Sequence, residues 1–394
     1  ALDSVLLISD IHFDPLADRK ILAQLISQPV EKWQEIFDSS SLKKLGDYGH
    51  DTNYPLFRSM LAGLQSAEPD PALIIVSGDL FRHRFRAEFE SLIPPEMKSK
   101  FKQIYPTFIE KTIQFMAQAM RATFPSAQII PVLGNNDSTC GDYKVYRGDA
   151  FVPVFMNAWS SETQKIIANE AGHYTTQFGQ NKKLRIIAIN NVYLAEKYNS
   201  YCAPKGDPSG ANALGWLSTQ LAQAEKRKEK VWIVGHLPPG IDVSSTMFKN
   251  PSACENGNFF SMFKPHFTRE YLELLNRHRE SVQLTIAGHG HFNEFRMAND
   301  VPVLIVPSIA PFPSNNPAFE VMKVTHDSLQ IQSLTTYSLD LSNANAKWTK
   351  LAELNDLTPR NISALIEQLR TDGKKQSAYI ERMLSNAGGL ATQF

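Results

Sequence analysis

The stretch "IAGHGHFNEF", Ile286–Phe295, finishes the apolar run "SVQLTIAG" with two histidines two residues apart. A core histidine usually comes alone. His289 and His291 stand as a pair around a glycine, at the end of what reads as a buried strand. Such a pair needs something to hold, and the other strand ends supply it.

Six further apolar runs read as strands: "VLLISD" (5–10), "ALIIVSGD" (72–79), "QIIPVLGN" (128–135), "LRIIAIN" (184–190), "VWIVGH" (231–236) and "VPVLIVP" (301–307). Each is too short for a typical helix and rich in Ile, Val and Leu, as expected of strands covered on both faces. Helix-like segments lie between several of them, among them "TFIEKTIQFMAQAMRATF" and "GWLSTQLAQAEKRKEK". This alternation predicts α/β layers, a mixed sheet arrangement with helices outside. "FEVMKV" and "LQIQSLTTYSL" read as a hairpin around "THDS". After about residue 340 the character changes. "LSNANAKW" reads as a polar connector and "TPRNISALIEQLRTDGKKQSAYIERMLSNAGG" as two helices, with "TPRN" starting the first and "NAGG" stopping the second. The expected organisation is a catalytic domain over 1–339 and a C-terminal helical subdomain over 340–394. Two long insertions, about 27–70 and 81–110, follow strand ends and are candidate walls or lids.

The polar residues fall at the ends of the runs. Asp10 closes the first, with His12 two residues on; Asp79 closes the second and Asn135 the third; His236, His289 and His291 close later ones. In α/β sheets, ligand sites gather at the carboxyl ends of strands. Two Asp, one Asn and four His would thus reach one region, and all are metal-ligating types. Seven ligands exceed one tetrahedral ion. They suit two ions roughly 3.5–4 Å apart sharing a carboxylate. Glycines precede Asp79, Asn135, His236 and His289, where close backbone approach is needed.

Charge excludes some classes. Lys+Arg and Asp+Glu each number 40, so a strongly basic nucleic-acid-binding surface is not the main business of the chain. No apolar stretch nears the roughly 20 residues needed to cross a bilayer. The chain starts at Ala1 without Met. A removed signal peptide, and hence a secreted or periplasmic protein, is the expectation, with a trimmed terminus and a cytoplasmic location as alternatives. Cys140, Cys202 and Cys254 admit one bridge plus a free thiol, or three isolated thiols.

The ordered set "SDIHFD", "VSGDLFRH", "VLGNND", "VGHLPPG" and "AGHGH" resembles the calcineurin-like metallophosphoesterases. "GHLPPG", "IVPSIAPFPSNNPAFEVMKV" and His83 four residues after Asp79 narrow the resemblance to the acid sphingomyelinase-like phosphodiesterase branch. It covers about residues 1–340. It implies a β-sandwich flanked by helices, α/β or α+β by scheme, here with the C-terminal helical appendage. It also implies Asp10, His12, Asp79 and His291 on one metal, and Asp79, Asn135, His236 and His289 on the other. The family's metals imply zinc; the ligand types alone also admit Fe or Mn. The family usually has a histidine where Asn136 stands, to help protonate the leaving group or steady the phosphate. Asn donates a hydrogen bond but delivers no proton. Endopolyphosphatases in the branch share a GNND-like motif, so the difference puts a sphingomyelinase label in doubt. His83 is then the candidate acid.

The implied reaction is in-line attack on phosphorus by hydroxide formed between two cations. The substrate is a small phosphate compound, with phosphodiesters or phosphoanhydrides of nucleotides first. Sphingomyelin and polyphosphate are alternatives, and a non-catalytic, metal-retaining binding protein is the reading from another class. In "FRHRFR", Arg82, Arg84 and Arg86 read either as a solvated face or as partners of substrate phosphates. Tyr143, Tyr146, Tyr193 and Phe248 read as packing residues or as platforms for a base.

Overall fold

The structure is a computed structural model, and it describes residues 1–179 and 183–387. Gly388 and Gly389, expected to stop the last helix, lie outside the described residues.

Two six-stranded sheets form the body. In the first, β1 (Leu2–Ile8), β2 (Leu73–Val76) and β3 (Gln128–Pro131) run parallel. On the other side of β1 the sheet continues antiparallel through β10 (Ala318–Thr325), β11 (Ile331–Leu339) and β12 (Trp348–Asn355). The second sheet has the order β4 (Tyr174–Phe178), β5 (Leu184–Ala188), β6 (Lys230–Val234), β7 (Val282–Ala287), β9 (Val301–Ile305), β8 (Glu294–Ala298). β5, β6, β7 and β9 are parallel, and β4 and β8 are antiparallel edges.

Strand periodicity shows how the sheets stack. Ile186, Trp232, Val234, Leu284, Ile286 and Leu304 join one apolar core with Leu6, Ile74 and Val321 of the first sheet. Their neighbours Ile187, Val231, Ile233, Val282, Val303 and Ile305 belong to a second core with the helices Ser209–Lys226 and Pro265–Arg277. Successive strand residues point to opposite faces. One face of the second sheet therefore packs on the first sheet and the other on helices. The helices Tyr54–Ala67, Phe101–Thr123 and Phe151–Trp159 pack into the first core. The expected sandwich flanked by helices is the fold observed.

Three strands, β4, β8 and β12, are absent from the sequence reading. β12 lies within the C-terminal segment, where the sequence suggests a connector and helices. It is half-exposed and mixed in polarity, so it carries no apolar run, and it forms by pairing with β11. Helices Pro359–Leu369 and Gly373–Met383 follow. Arg382 pairs at 3.0 Å with Glu320 of β10, both buried, docking the last helix on the sheet. Among the described residues no helix is long and apolar enough to cross a membrane.

Candidate metal centre

The parallel strands of both sheets end on one edge, and the loops there carry all seven expected ligands. Five of them, Asp10, His12, Asp79, His289 and His291, have positive φ, between 44° and 68°. Strained backbone of this kind persists where surrounding structure over-determines it, and it clusters at functional sites. The loops also need glycine. A Cβ on Gly134 would run into the backbone nitrogen and carboxylate of Asp79, and one on Gly288 into Ser9 and Asp10.

Hydrogen bonding decides which atoms face inward. His12 Nδ1 donates to the Phe81 carbonyl at 2.8 Å, His236 Nδ1 to the Ser77 carbonyl at 2.7 Å, and His291 Nδ1 to the Phe312 carbonyl. A carbonyl only accepts, so each ring keeps its proton on Nδ1 and the neutral ring presents a bare Nε2. The Nε2 atoms of His12 and His291 face each other at 3.2 Å. His236 Nε2 faces Asn135 Oδ1 at 2.9 Å. That amide is oriented by Asn135 Nδ2 donating to Asp142 at 2.6 Å. Lone pairs thus point at lone pairs. Asp10 repeats the pattern. Its Oδ2 accepts from Ser9 Oγ and the His289 amide, whereas its fully buried Oδ1 has no hydrogen-bond donor and lies 3.3 Å from His291 Nε2. Asp79 Oδ2 lies 3.5 Å from His12 Nε2 and 3.3 Å from His236 Nε2. With the rings neutral, the acceptors gathered here have no hydrogens between them, an arrangement that calls for a cation.

Electrostatics agree. Burial pushes the carboxyls of Asp10 and Asp79 up, yet the imidazoles around them hold both below the ordinary carboxylate range. Burial likewise lowers His236, but Asp79 and Asp10 draw positive charge there strongly enough to raise it to about 10, so Nε2 takes either a proton or a metal ion, one in place of the other. His289 goes the other way, to about 4, through burial and the charge of His236. Its Nε2 is occupied by the Tyr143 hydroxyl at 3.0 Å, which leaves Nδ1 as its open nitrogen. Three donor groups that could hold an ion emerge: Asp10, His12 and Asp79; Asp79, His236 and His289; and His12, His83 and His291. The site fits two divalent cations.

His83 and Asn136 also reach this centre. The His83 ring stacks on His12 at 3.9 Å between centroids, and its Nδ1 is 2.6 Å from Asp51 Oδ1. Asp51 comes from the first long insertion. Burial raises its pKa, but the bond from His83 and the charge of His12 bring it below the usual value. Asn136 donates from its backbone and from its side chain to the two oxygens of Asp79, both at 2.8 Å. It orients the central carboxylate. Arg82 does not face the centre: it pairs with Asp14 at 3.2 Å and lies 3.8 Å from Asp51. Tyr193 is fully buried in the second core, while Phe248, 45% exposed, lines the cavity over the centre. That cavity, about 340 Å³, is also lined by His83, Lys197, Asp242 and Phe312.

Sequence reading missed these supporting roles, and Tyr143, read there as packing or as a platform for a base, instead bonds His289. Asp51, Asp142 and Tyr143 aim His83, Asn135 and His289, and Asp137 ties two ligand loops by accepting from the amides of Leu80 and Gly134. Of the three acids, only Asp137, inside "GNND", carried a signal. The sulfurs of Cys140 and Cys202 are bonded, and Cys254 is an exposed thiol, so the one-bridge alternative holds.

Comparison with known proteins gives the family. The family model "Calcineurin-like phosphoesterase" matches residues 4–293. Human acid sphingomyelinase-like phosphodiesterase 3b is 24% identical, over 98% of this chain and 84% of its own length. Mouse cyclic GMP-AMP phosphodiesterase SMPDL3A is 24% identical, over 94% of this chain and 81% of its own. A zebrafish (Danio rerio) dimetal phosphatase structure superposes with a TM-score of 0.46 at 12% identity, covering 85% of this chain and 95% of that one. With its ligand-bearing loops gathered on one edge of two stacked sheets, the chain belongs to the calcineurin-like phosphoesterase family and is a two-metal phosphoric ester hydrolase.

Proposed function

We propose that the centre hydrolyses phosphodiester or phosphoanhydride bonds of soluble phosphate compounds, nucleotides first. The relatives named for cyclic GMP-AMP and sphingomyelin-type diesters support the reaction class. The observation that carries the reading is the facing pair of bare nitrogens, His12 and His291, beside the unbonded Asp10 Oδ1. Asp10, His12, Asp79 and His291 would hold one cation, and Asp79, Asn135, His236 and His289 the other, with Asp79 shared. Zinc suits this His-rich, oxygen-completed set. When bound, such ions polarise a phosphoryl oxygen and lower the pKa of water toward about 7.

The chain's own side chains do the rest. Asn136 fixes the rotation of the Asp79 carboxylate through both oxygens. Asp51 holds the His83 ring by Nδ1, which leaves Nε2 as the atom that would hand a proton to the departing oxygen. All of these side chains lie within 1–339, which we read as the catalytic unit, with 340–394 bracing it through β12 and the docked helices. The Cys140–Cys202 bridge supports an oxidising location, hence export.

The test is hydrolysis of bis-nitrophenyl phosphate with zinc, manganese or chelator, then a panel of nucleotides, sphingomyelin and polyphosphate with phosphate and choline release followed separately. Metal-dependent turnover that vanishes in Asp79→Asn is expected. Near-normal turnover by that variant would overturn the shared role of Asp79.

A further inference from the structure

The arginine run "FRHRFR" divides in the structure. Arg82 is half-buried among Asp14, Asp51 and Glu88. Arg84 and Arg86 turn outward with Lys144 and line a second cleft of about 480 Å³. Asn136 and Asp142 form a wall common to this cleft and to the cavity over the metal centre. Asn136 is the residue that grips Asp79, so the cleft opens directly beside the reaction site.

Among the described residues, the three cations of the cleft form no ion pair with a carboxylate. Among the described residues no hydrogen bond or ion pair engages the Arg84 guanidinium, and its backbone is held in the left-handed region at φ 54°. The Arg86 guanidinium lies over the rings of Phe101 and Tyr105, 5.6 and 5.9 Å from their centroids, and reaches only the Thr139 carbonyl at 3.5 Å. Lys144 Nζ sits 5.8 Å from the centroid of Tyr201, a ring 83% exposed at the rim. Two acids also line the cleft, Glu90 and Asp142, but the Asp142 carboxylate is taken by Asn135. In a chain of zero formal net charge, three cations against two acids leave this lining net positive beside a phosphoryl-binding centre, a place for an anion.

We propose that this cleft is a subsite for a second phosphate, so that the preferred substrate carries at least one phosphate besides the scissile one, as a nucleoside polyphosphate or a polyphosphate chain does. The proposal rests on the phosphohydrolase reading and sharpens it. A substrate with its reacting phosphorus at the metal centre extends past Asn136 and meets Arg84, Arg86 and Lys144. A phosphocholine headgroup would bring a cation to the same cations and be disfavoured.

The test uses the metal-loaded full chain and the double variant Arg84→Gln/Arg86→Gln, with Lys144→Gln as a second variant; all three side chains are at the surface. For each, kcat/KM is measured on ATP and on bis-nitrophenyl phosphate, and inorganic tripolyphosphate binding is titrated by calorimetry at two salt concentrations. The ratio of the two kcat/KM values should fall by about tenfold or more in the double variant, the size expected for losing hydrogen bonds between charged groups. Tripolyphosphate should bind more weakly and with less salt dependence. An unchanged ratio with unchanged tripolyphosphate affinity overturns the subsite, as does an equal loss on both substrates. If the wild type cleaves neither substrate, the phosphohydrolase reading fails instead. The tripolyphosphate titration then decides the subsite alone.

Discussion

His83 shows how one side chain is given its task by its surroundings. Asp51 takes Nδ1, and His12 and Phe312 hold the ring between them, with centroids at 3.9 and 4.6 Å. His83→Ala should therefore reduce hydrolysis of alkyl phosphodiesters by about 10²–10⁴-fold while nitrophenyl esters, whose leaving groups need no proton, suffer far less. Equal losses on both would make His83 a positioning residue. His173 illustrates the opposite environment. It is buried, stacks on Trp216 and accepts from the Asn190 amide through Nδ1, and burial lowers its pKa to about 3. Between pH 6.5 and 3 the unfolded chain binds a proton at this ring that the folded chain refuses. Stability at His173 is thus complete above pH 6.5 and is lost as pH falls, by about 1.4 kcal/mol per unit. Denaturant titrations from pH 7 to 4.5 should show a shallower loss in His173→Gln than in the wild type; parallel curves would contradict the shift.

At the scale of elements, the segment from Asn135 to Tyr146 works as a brace. Asp142 aims Asn135, Tyr143 reaches His289, and the Cys140–Cys202 bond ties the segment to the 197–207 loop that brings Lys197 to the cavity. Replacing both cysteines by serine should cost about 2–4 kcal/mol of stability. It should also lower metal content toward one ion per chain, because both braced side chains belong to the same proposed position. Elemental analysis of the purified variant checks this, and retention of two ions would separate the bridge from the centre. Sequence legibility varies by element here. The ligand-bearing strands announce themselves because burial on both faces demands unbroken apolar runs. β12 does not, since its residues are half-exposed and its place is set by pairing with β11.

Across the whole molecule, the centre joins both sheets: Asp10, Asp79 and Asn135 follow strands of the first, and His236, His289 and His291 follow strands of the second. A cation bound there cross-links the two halves of the sandwich. Divalent metal at about 100 times its dissociation constant should add about 2.7 kcal/mol to the unfolding free energy of the metal-free chain. Thermal unfolding with chelator, and again after zinc or manganese is restored, measures this; a melting temperature indifferent to metal would count against a ligand set spanning both sheets. The ligand-bearing strands, the family and the choice of seven candidate ligands were legible in local sequence, because strand ends carry these residues in short motifs whose types answer directly to chemistry. The supporting partners and the fate of the arginines were decided only in three dimensions. Asp51 and His83 are 32 residues apart, and Tyr143 and His289 are 146 apart. No local pattern records which distant groups a loop will meet once two sheets close on each other.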